Sequence, residues 1–127
     1  MSTDVGLKGS ADVSRSVIGA AFRVANSLGV GFLEKVYENA LVVELRLSGH
    51  EVEQQHPMDV RYRGEIVGIY QADLLVDGCL VVELKAVDAL APAHKSQCIN
   101  YLRASGLDTG LLINFGRPHL EIRRIRT

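Results

Sequence analysis

The segment Cys79-Leu80-Val81-Val82-Glu83-Leu84-Lys85, nearly continuous apolar residues with two charges set into it, constrains the fold of this chain more than any other. Continuous rather than alternating apolarity is what a strand covered on both faces requires. Side chains two apart on a strand share a face, so Glu83 and Lys85 point the same way. An unpaired charge in a dry interior is costly, and both groups therefore need partners or a wet cleft.

The flanking pattern supplies the covering layers. Val13, Val17, Ala20, Ala21, Val24 and Leu28 recur at helical spacing and predict a helix over 12–28, with Asp12 as a cap and Gly29-Val30-Gly31 as the break. Leu33, Val36, Tyr37, Ala40, Leu41 and Leu45 predict a second helix over 33–48, closed by Gly49. Strands are expected at 51–55 and 58–62, separated by Pro57, which suggests a bend or an edge position, and a longer one at 65–76 with Gly68 as a bulge. Pro92 suits the first turn of a helix over 92–105 ended by Gly106, and strands are expected at 109–114 and 120–126. A helix joining the strand that ends at Lys85 to the one that begins at Thr109 permits parallel pairing with a right-handed crossover. The expectation is one α/β domain over 12–127, a mixed sheet flanked by helices, with residues 1–11 frayed.

Composition fits this reading. The 127 residues are 47% hydrophobic and 23% charged, with no Trp, so Val, Leu, Ile and Ala must fill the core. The start Met1-Ser2-Thr3-Asp4 lacks a basic residue followed by an apolar run, and the longest apolar stretches, at 40–43 and 79–82, are too short to span a bilayer. Cys79 and Cys98 lack zinc-like spacing and read as free thiols in a reducing compartment, so a cytoplasmic location is expected. The net charge of −1 argues against a whole-surface nucleic-acid binder. Residues 117–127 nevertheless carry four arginines against Glu121, and Arg123 and Arg124, like Arg61 and Arg63 at the first hairpin, are candidate contacts to a nucleic-acid backbone. A charged edge strand and a solvated turn explain the same residues.

Asp73 lies among apolar neighbours on the strand before Glu83, and whether the two meet depends on hairpin register. A two-residue Asp77-Gly78 turn would place Asp73 opposite Val82, on the wrong face. A three-residue loop, Val76-Asp77-Gly78, would pair Leu75 with Cys79 and put Asp73 on the face of Glu83 and Lys85, so a shared site requires this register or an equivalent bulge. Two carboxylates with a lysine suit metal-assisted hydrolysis, because Mg²⁺ prefers oxygen ligands and keeps several waters.

Gly31-Phe32-Leu33-Glu34-Lys35-Val36-Tyr37 is similar to the GxxExxY signature of a widespread bacterial and archaeal family assigned to the PD-(D/E)xK nuclease superfamily. The resemblance extends over roughly residues 17–125 through Ala72-Asp73-Leu74-Leu75-Val76, Val82-Glu83-Leu84-Lys85, Gln97-Cys98-Ile99-Asn100-Tyr101 and Leu111-Leu112-Ile113-Asn114-Phe115. It implies a restriction-endonuclease-like core with two N-terminal helices and a Mg²⁺- or Mn²⁺-dependent nuclease acting on nucleic acid, DNA first. Asp73 and Glu83 then look like metal-binding acids, Lys85 like the lysine of the E-x-K motif, and Glu34 like an additional carboxylate from an N-terminal helix. The backbone carbonyl of Leu84 is implied as a further metal ligand. Gln97-x-x-x-Tyr101 is similar to the QxxxY motif of RecB-type domains, placing Gln97 beside the site with Tyr101 and Tyr37 in support. Packing explains the two tyrosines equally well, and the helix dipole alone favours a carboxylate at Glu34. Ala72 stands where the superfamily's name-giving proline would be. A non-catalytic nucleic-acid-binding or protein-interaction module on the same fold is the competing expectation, and a chain this small is expected to use a second copy or a protein partner to grip its substrate.

Overall fold

The computed structural model describes residues 9–127. In chain order it contains helices α1 (Ser10–Leu28) and α2 (Glu34–Leu47), strands β1 (Val52–Tyr62), β2 (Glu65–Val76) and β3 (Leu80–Lys85), helix α3 (Pro92–Ser105), and strands β4 (Thr109–Asn114) and β5 (Glu121–Arg126). The strands form a five-stranded sheet in the order β1-β2-β3-β4-β5. Only β3 and β4 run parallel, joined through α3; the other neighbours are antiparallel.

β3 is the most enclosed edge-to-edge position, and its alternation sorts the core into two clusters. Leu80, Val82 and Leu84 pack with Val13, Val17, Val24, Leu41 and Leu45 of α1 and α2. Val81 faces the other way, onto Cys98, Tyr101 and Leu102 of α3. This is why the run around Glu83 lacks a polar face. Truncating one of these fully buried leucines to Ala would cost about 2–5 kcal/mol.

The predicted irregular stretch at 1–11 lies, for residues 1–8, outside the described residues; Ser10 and Ala11 already belong to α1, so the helix begins before Asp12. β1 is one continuous strand rather than two. Pro57 does not interrupt it because β1 is an edge strand, where a missing N–H removes no ladder bond on the open side. The irregularity falls instead at Gln55, whose φ of 52° is unusual for a residue with a side chain. In β2 the bulge sits beside Gly68: Val60 pairs with Gly68 and Arg61 with Ile66, leaving Val67 as the extra residue.

The β2–β3 hairpin adopts an equivalent of the second register, with the surplus residue moved to Cys79. Asp77 and Gly78 both take positive φ, 51° and 65°, and the Cys79 N–H donates to the Val76 carbonyl at 3.1 Å. Pairing then resumes at Val76↔Leu80, followed by Leu75↔Val81 and Leu74↔Val82. Cys79 is thus the surplus residue, and it shifts the parity of the whole ladder. Extended by one pair, this register sets Asp73 against Glu83.

The turn is pinned from outside the hairpin. Asp77 Oδ2 lies 2.6 Å from His50 Nδ1, and His50 Nε2 lies 2.7 Å from Ser16 Oγ. Asp77 Oδ1 accepts the Glu51 N–H at 2.9 Å, and the Asp77 N–H donates to the Glu51 carbonyl at 2.8 Å. His50, which lacked any assigned role in the sequence, is 6% exposed and couples α1 and the start of β1 to the turn. Ser16 sits inside α1, where its backbone amide belongs to the helix, so the trio is a structural clasp rather than a nucleophile with an oxyanion hole. His50→Ala should therefore lower stability by about 2–4 kcal/mol, since it leaves a buried acceptor and donor unpaired and opens a cavity. Denaturant unfolding checks this, and a change below about 0.5 kcal/mol, the scale of an ordinary surface substitution, would contradict it.

Candidate metal-dependent hydrolytic site

The register brings Asp73 and Glu83 together on the α3 side of the sheet. Asp73 is anchored twice: its Oδ2 accepts the Leu84 N–H at 2.8 Å and its Oδ1 accepts from Gln55 Nε2 at 3.3 Å. Glu83 is 5% exposed, and its Oε1 is buried without a hydrogen-bond partner. Burial first, then the charge of Asp73 and a hydrogen bond with it, push the Glu83 carboxyl up to about 10, while Lys85 works in the opposite direction. Lys85 closes β3, half-buried on the same face. Its backbone carbonyl accepts the Phe115 N–H at 2.8 Å, on the β4 side. By strand alternation the Leu84 N–H and carbonyl turn to the β2 side, where the N–H meets Asp73.

Helix α2 delivers its first turn to the same place. Burial raises the Glu34 carboxyl, followed by the charge of Asp73, with Lys85 lowering it in part. Glu34 is thus within electrostatic reach of both groups. Its helical neighbour Glu38 went unnoticed in the sequence, although the i,i+4 spacing puts both on one face. Glu38 is 2% exposed and holds Lys35 Nζ at 3.0 Å, Gln54 Nε2 at 2.8 Å and Gln55 Nε2 at 3.1 Å. Gln55 therefore bridges Glu38 and Asp73 from a strained backbone position, and strain of this kind concentrates at functional sites. Nothing local in Gln54-Gln55 announces this, because the contact depends on α2.

Helix α3 forms the remaining wall. Tyr101 is 7% exposed, and burial followed by Glu83 and Asp73 pushes its hydroxyl up to about 12. Burial and then Glu83 likewise push the Cys98 thiol up to about 12. Gln97 lies exposed on α3 one turn before Tyr101 and supplies neither of the hydrogen bonds that anchor Asp73. His94 Nδ1 accepts the Ala91 N–H at 3.0 Å, capping the start of α3.

Tyr37 serves the scaffold: its hydroxyl donates to the Gly29 carbonyl at 2.6 Å and accepts the Phe32 N–H at 3.2 Å, and its ring stacks on Phe115 at 4.9 Å. It fixes the α1–α2 loop that leads into Glu34. The four arginines are not gathered at the carboxylates. Arg61 sits at the hairpin near Asp59, at 3.7 Å, and Arg63 lies over the Tyr62 ring. Arg123 lies 3.7 Å from Glu121, and Arg124 donates to Ser14 Oγ at 2.8 Å, both on β5 at the opposite edge of the sheet.

A family model described as the PD-(D/E)XK nuclease superfamily matches residues 11–125. The chain belongs to the PD-(D/E)XK nuclease superfamily. A solved structure titled "Crystal structure of SSO0001" aligns with a TM-score of 0.55 at 20% identity, covering 72% of this chain and 48% of that one, so this chain spans about half its length. That likeness concerns the fold: a mixed sheet with helices on both faces. No curated protein sequence matches. PD-(D/E)XK nucleases generally use divalent metals, and a nuclease family implies a nucleic-acid substrate. Among the described residues no helix is long and apolar enough to cross a membrane, and no three His, Cys, Asp or Glu side chains are gathered as a ready-made metal cage.

The raised Glu83 carboxyl has a consequence for stability in metal-free solution. Between the unfolded value near 4.5 and the folded value of about 10, the folded protein holds a proton that the unfolded chain releases. The contribution of Glu83 to stability therefore falls as pH rises through that window. Glu83→Gln should flatten this slope and melt higher than the unsubstituted protein at pH 9, as read by thermal unfolding in EDTA. Parallel pH profiles for the two proteins would refute the assignment.

Proposed function

We propose that the chain is a divalent-metal-dependent nuclease of the GxxExxY type, hydrolysing phosphodiester bonds in nucleic acid, DNA in the first place, with Mg²⁺ or Mn²⁺. One observation carries the reading: Glu83, buried against Asp73, has an acceptor oxygen without a partner. Two facing carboxylates with a spare oxygen match what a hard cation takes from a protein when water completes its shell. Asp73, Glu83 and the Leu84 carbonyl are the metal ligands in this proposal, and Glu34 adds its carboxylate from α2, directly or through water. Such an ion, when bound, supplies charge to polarise the phosphoryl oxygen and lowers the pKa of a bound water.

The remaining roles fall to the protein's own groups. Lys85 stabilises developing negative charge or orients the attacking water. Gln97 positions water or phosphate from the open side of α3. Tyr101 walls the site, and Tyr37 holds the loop that aims Glu34. Gln55 and Glu38 keep Asp73 in place, and are positioning residues. The free thiols Cys79 and Cys98 agree with a cytoplasmic location, and a second copy or protein partner would extend the grip on substrate.

The competing reading is a module on the same fold that binds nucleic acid or a protein without catalysis. Cleavage assays over single-stranded, double-stranded and branched substrates with Mg²⁺ or Mn²⁺ separate the two. Glu83→Gln and Lys85→Ala should each lower metal-dependent cleavage by at least about 100-fold, the scale of removing a positioned acid–base or charge-stabilising group. Far-UV circular dichroism should remain unchanged. Full cleavage by Glu83→Gln would remove the site from consideration, and no calorimetric Mn²⁺ binding at millimolar concentration, with or without DNA, would favour the module.

A further inference from the structure

The β1–β2 hairpin continues past the buried Met58 as an arm in which residues 61–70 are all exposed. Helix α3 packs against β1. Between arm and helix lies a cavity of about 640 Å³ lined by Asp59, Val60, Arg61, Tyr70, Asn100, Arg103 and Ala104. Its chemistry is uneven in a useful way: the arm supplies the Tyr70 ring and Arg61, which also donates to the Gly64 carbonyl at 3.2 Å, α3 supplies Asn100 and Arg103, and Asp59, 3.7 Å from Arg61, is the sole acid of the lining. The cavity therefore carries a net positive charge.

Tyr70 connects this cavity to the carboxylates. Its ring, 39% exposed, meets Tyr101 edge-to-face at 5.0 Å and 85°. Tyr101 in turn packs in the cluster of Val81, Cys98 and Ala72, the residue preceding Asp73. Tyr70 of the cavity thus touches Tyr101, the tyrosine whose hydroxyl feels Glu83 and Asp73.

We propose that this cavity is a subsite for an unpaired nucleotide of a single-stranded nucleic acid, its base stacked on Tyr70 and its phosphate and base edge held by Arg61, Arg103 and Asn100. Unpaired bases expose a face for an aromatic ring and edges for polar side chains, whereas duplex bases are already stacked and paired. The subsite deepens the nuclease reading and rests on it for its position beside the hydrolytic groups, although binding can be measured without cleavage. The same chemistry serves DNA and RNA strands, so both belong in the test.

Fluorescence anisotropy in EDTA, with labelled oligothymidylate, oligouridylate and a blunt DNA hairpin, measures this directly. At least one single strand should bind more tightly than the hairpin. Tyr70→Ala should weaken single-strand binding by about tenfold and Tyr70→Phe by no more than about twofold, as expected for one stacked base. Arg103→Ala, an exposed helix position, should weaken binding and reduce the salt-dependence slope by about one. No single-strand binding, equal binding of hairpin and single strand, or unchanged binding by Tyr70→Ala overturns the subsite. Tyr70-dependent binding without metal-dependent cleavage supports the subsite and fells the catalytic reading; cleavage with binding indifferent to Tyr70 fells the subsite alone.

Discussion

Asp73 and Glu83 face one another across the β2–β3 pair, in surroundings too dry for both to be ionised without a counter-charge. A fold of this size has a narrow stability margin, so such a contact persists only if the surrounding structure leaves no easier arrangement. Several devices have that effect. The surplus Cys79 fixes the parity that makes the two residues meet. His50 clasps the turn to α1, and the Leu84 N–H and Gln55 hold Asp73 from two directions. Glu38 anchors Gln55, so the acid on β2 is tied through β1 to α2. The whole α2–β1–β2–β3 unit is arranged around one unfavourable pair.

Sequence reading succeeded where local signals were strong and failed where tertiary partners decide. β2, α3 and β4 fall at their expected bounds because apolar periodicity is closed there by Pro92, Gly106 and the Arg63-Gly64 turn. At Pro57 the edge position holds and the division into two strands does not, since proline is disruptive only where its missing N–H faces a neighbour. Hairpin register was the harder question. Asp77-Gly78 signals a tight turn, and a tight turn does form, but nothing in the local sequence shows that Cys79 will be left over. Asp73, Glu83 and Lys85 stood out as charges in apolar strands. Glu38, Gln55 and His50 did not, because each is ordinary in its own segment and acquires meaning only from a contact 17 or more residues away.

Motif residues divide between chemistry and scaffold once the contacts are known. In Gly31–Tyr37, Glu34 reaches toward the acids while Tyr37 secures the loop. In the segment ending at Phe115 every contact is structural. Asn114, fully buried, bonds to both backbone groups of Val87, to the Gly116 N–H and to Glu121. A Cβ on Gly116 would lie 2.2 Å from the Val87 carbonyl oxygen, so the chain there has no room for a side chain. This clamp holds the connection that leaves β3 directly after Lys85, and thus the lysine's backbone.

The distribution of cations sets how a substrate can approach. Arg124 is spent on α1 and Arg123 on Glu121, so the excess of positive charge near the C-terminus does not form an open patch beside the acids. On the other side, Arg61 of β1, itself near Asp59, and Arg103 of α3 flank the cavity whose Tyr70 touches Tyr101, the tyrosine whose hydroxyl Glu83 and Asp73 push up. With a net charge of −1 the molecule has little long-range attraction for a polyanion. Affinity must then come from short-range contacts, and of these aromatic stacking is the one least weakened by salt. On the nuclease reading proposed above, strands would be selected by whether a base is free to leave its neighbours, since charge alone would admit any nucleic acid.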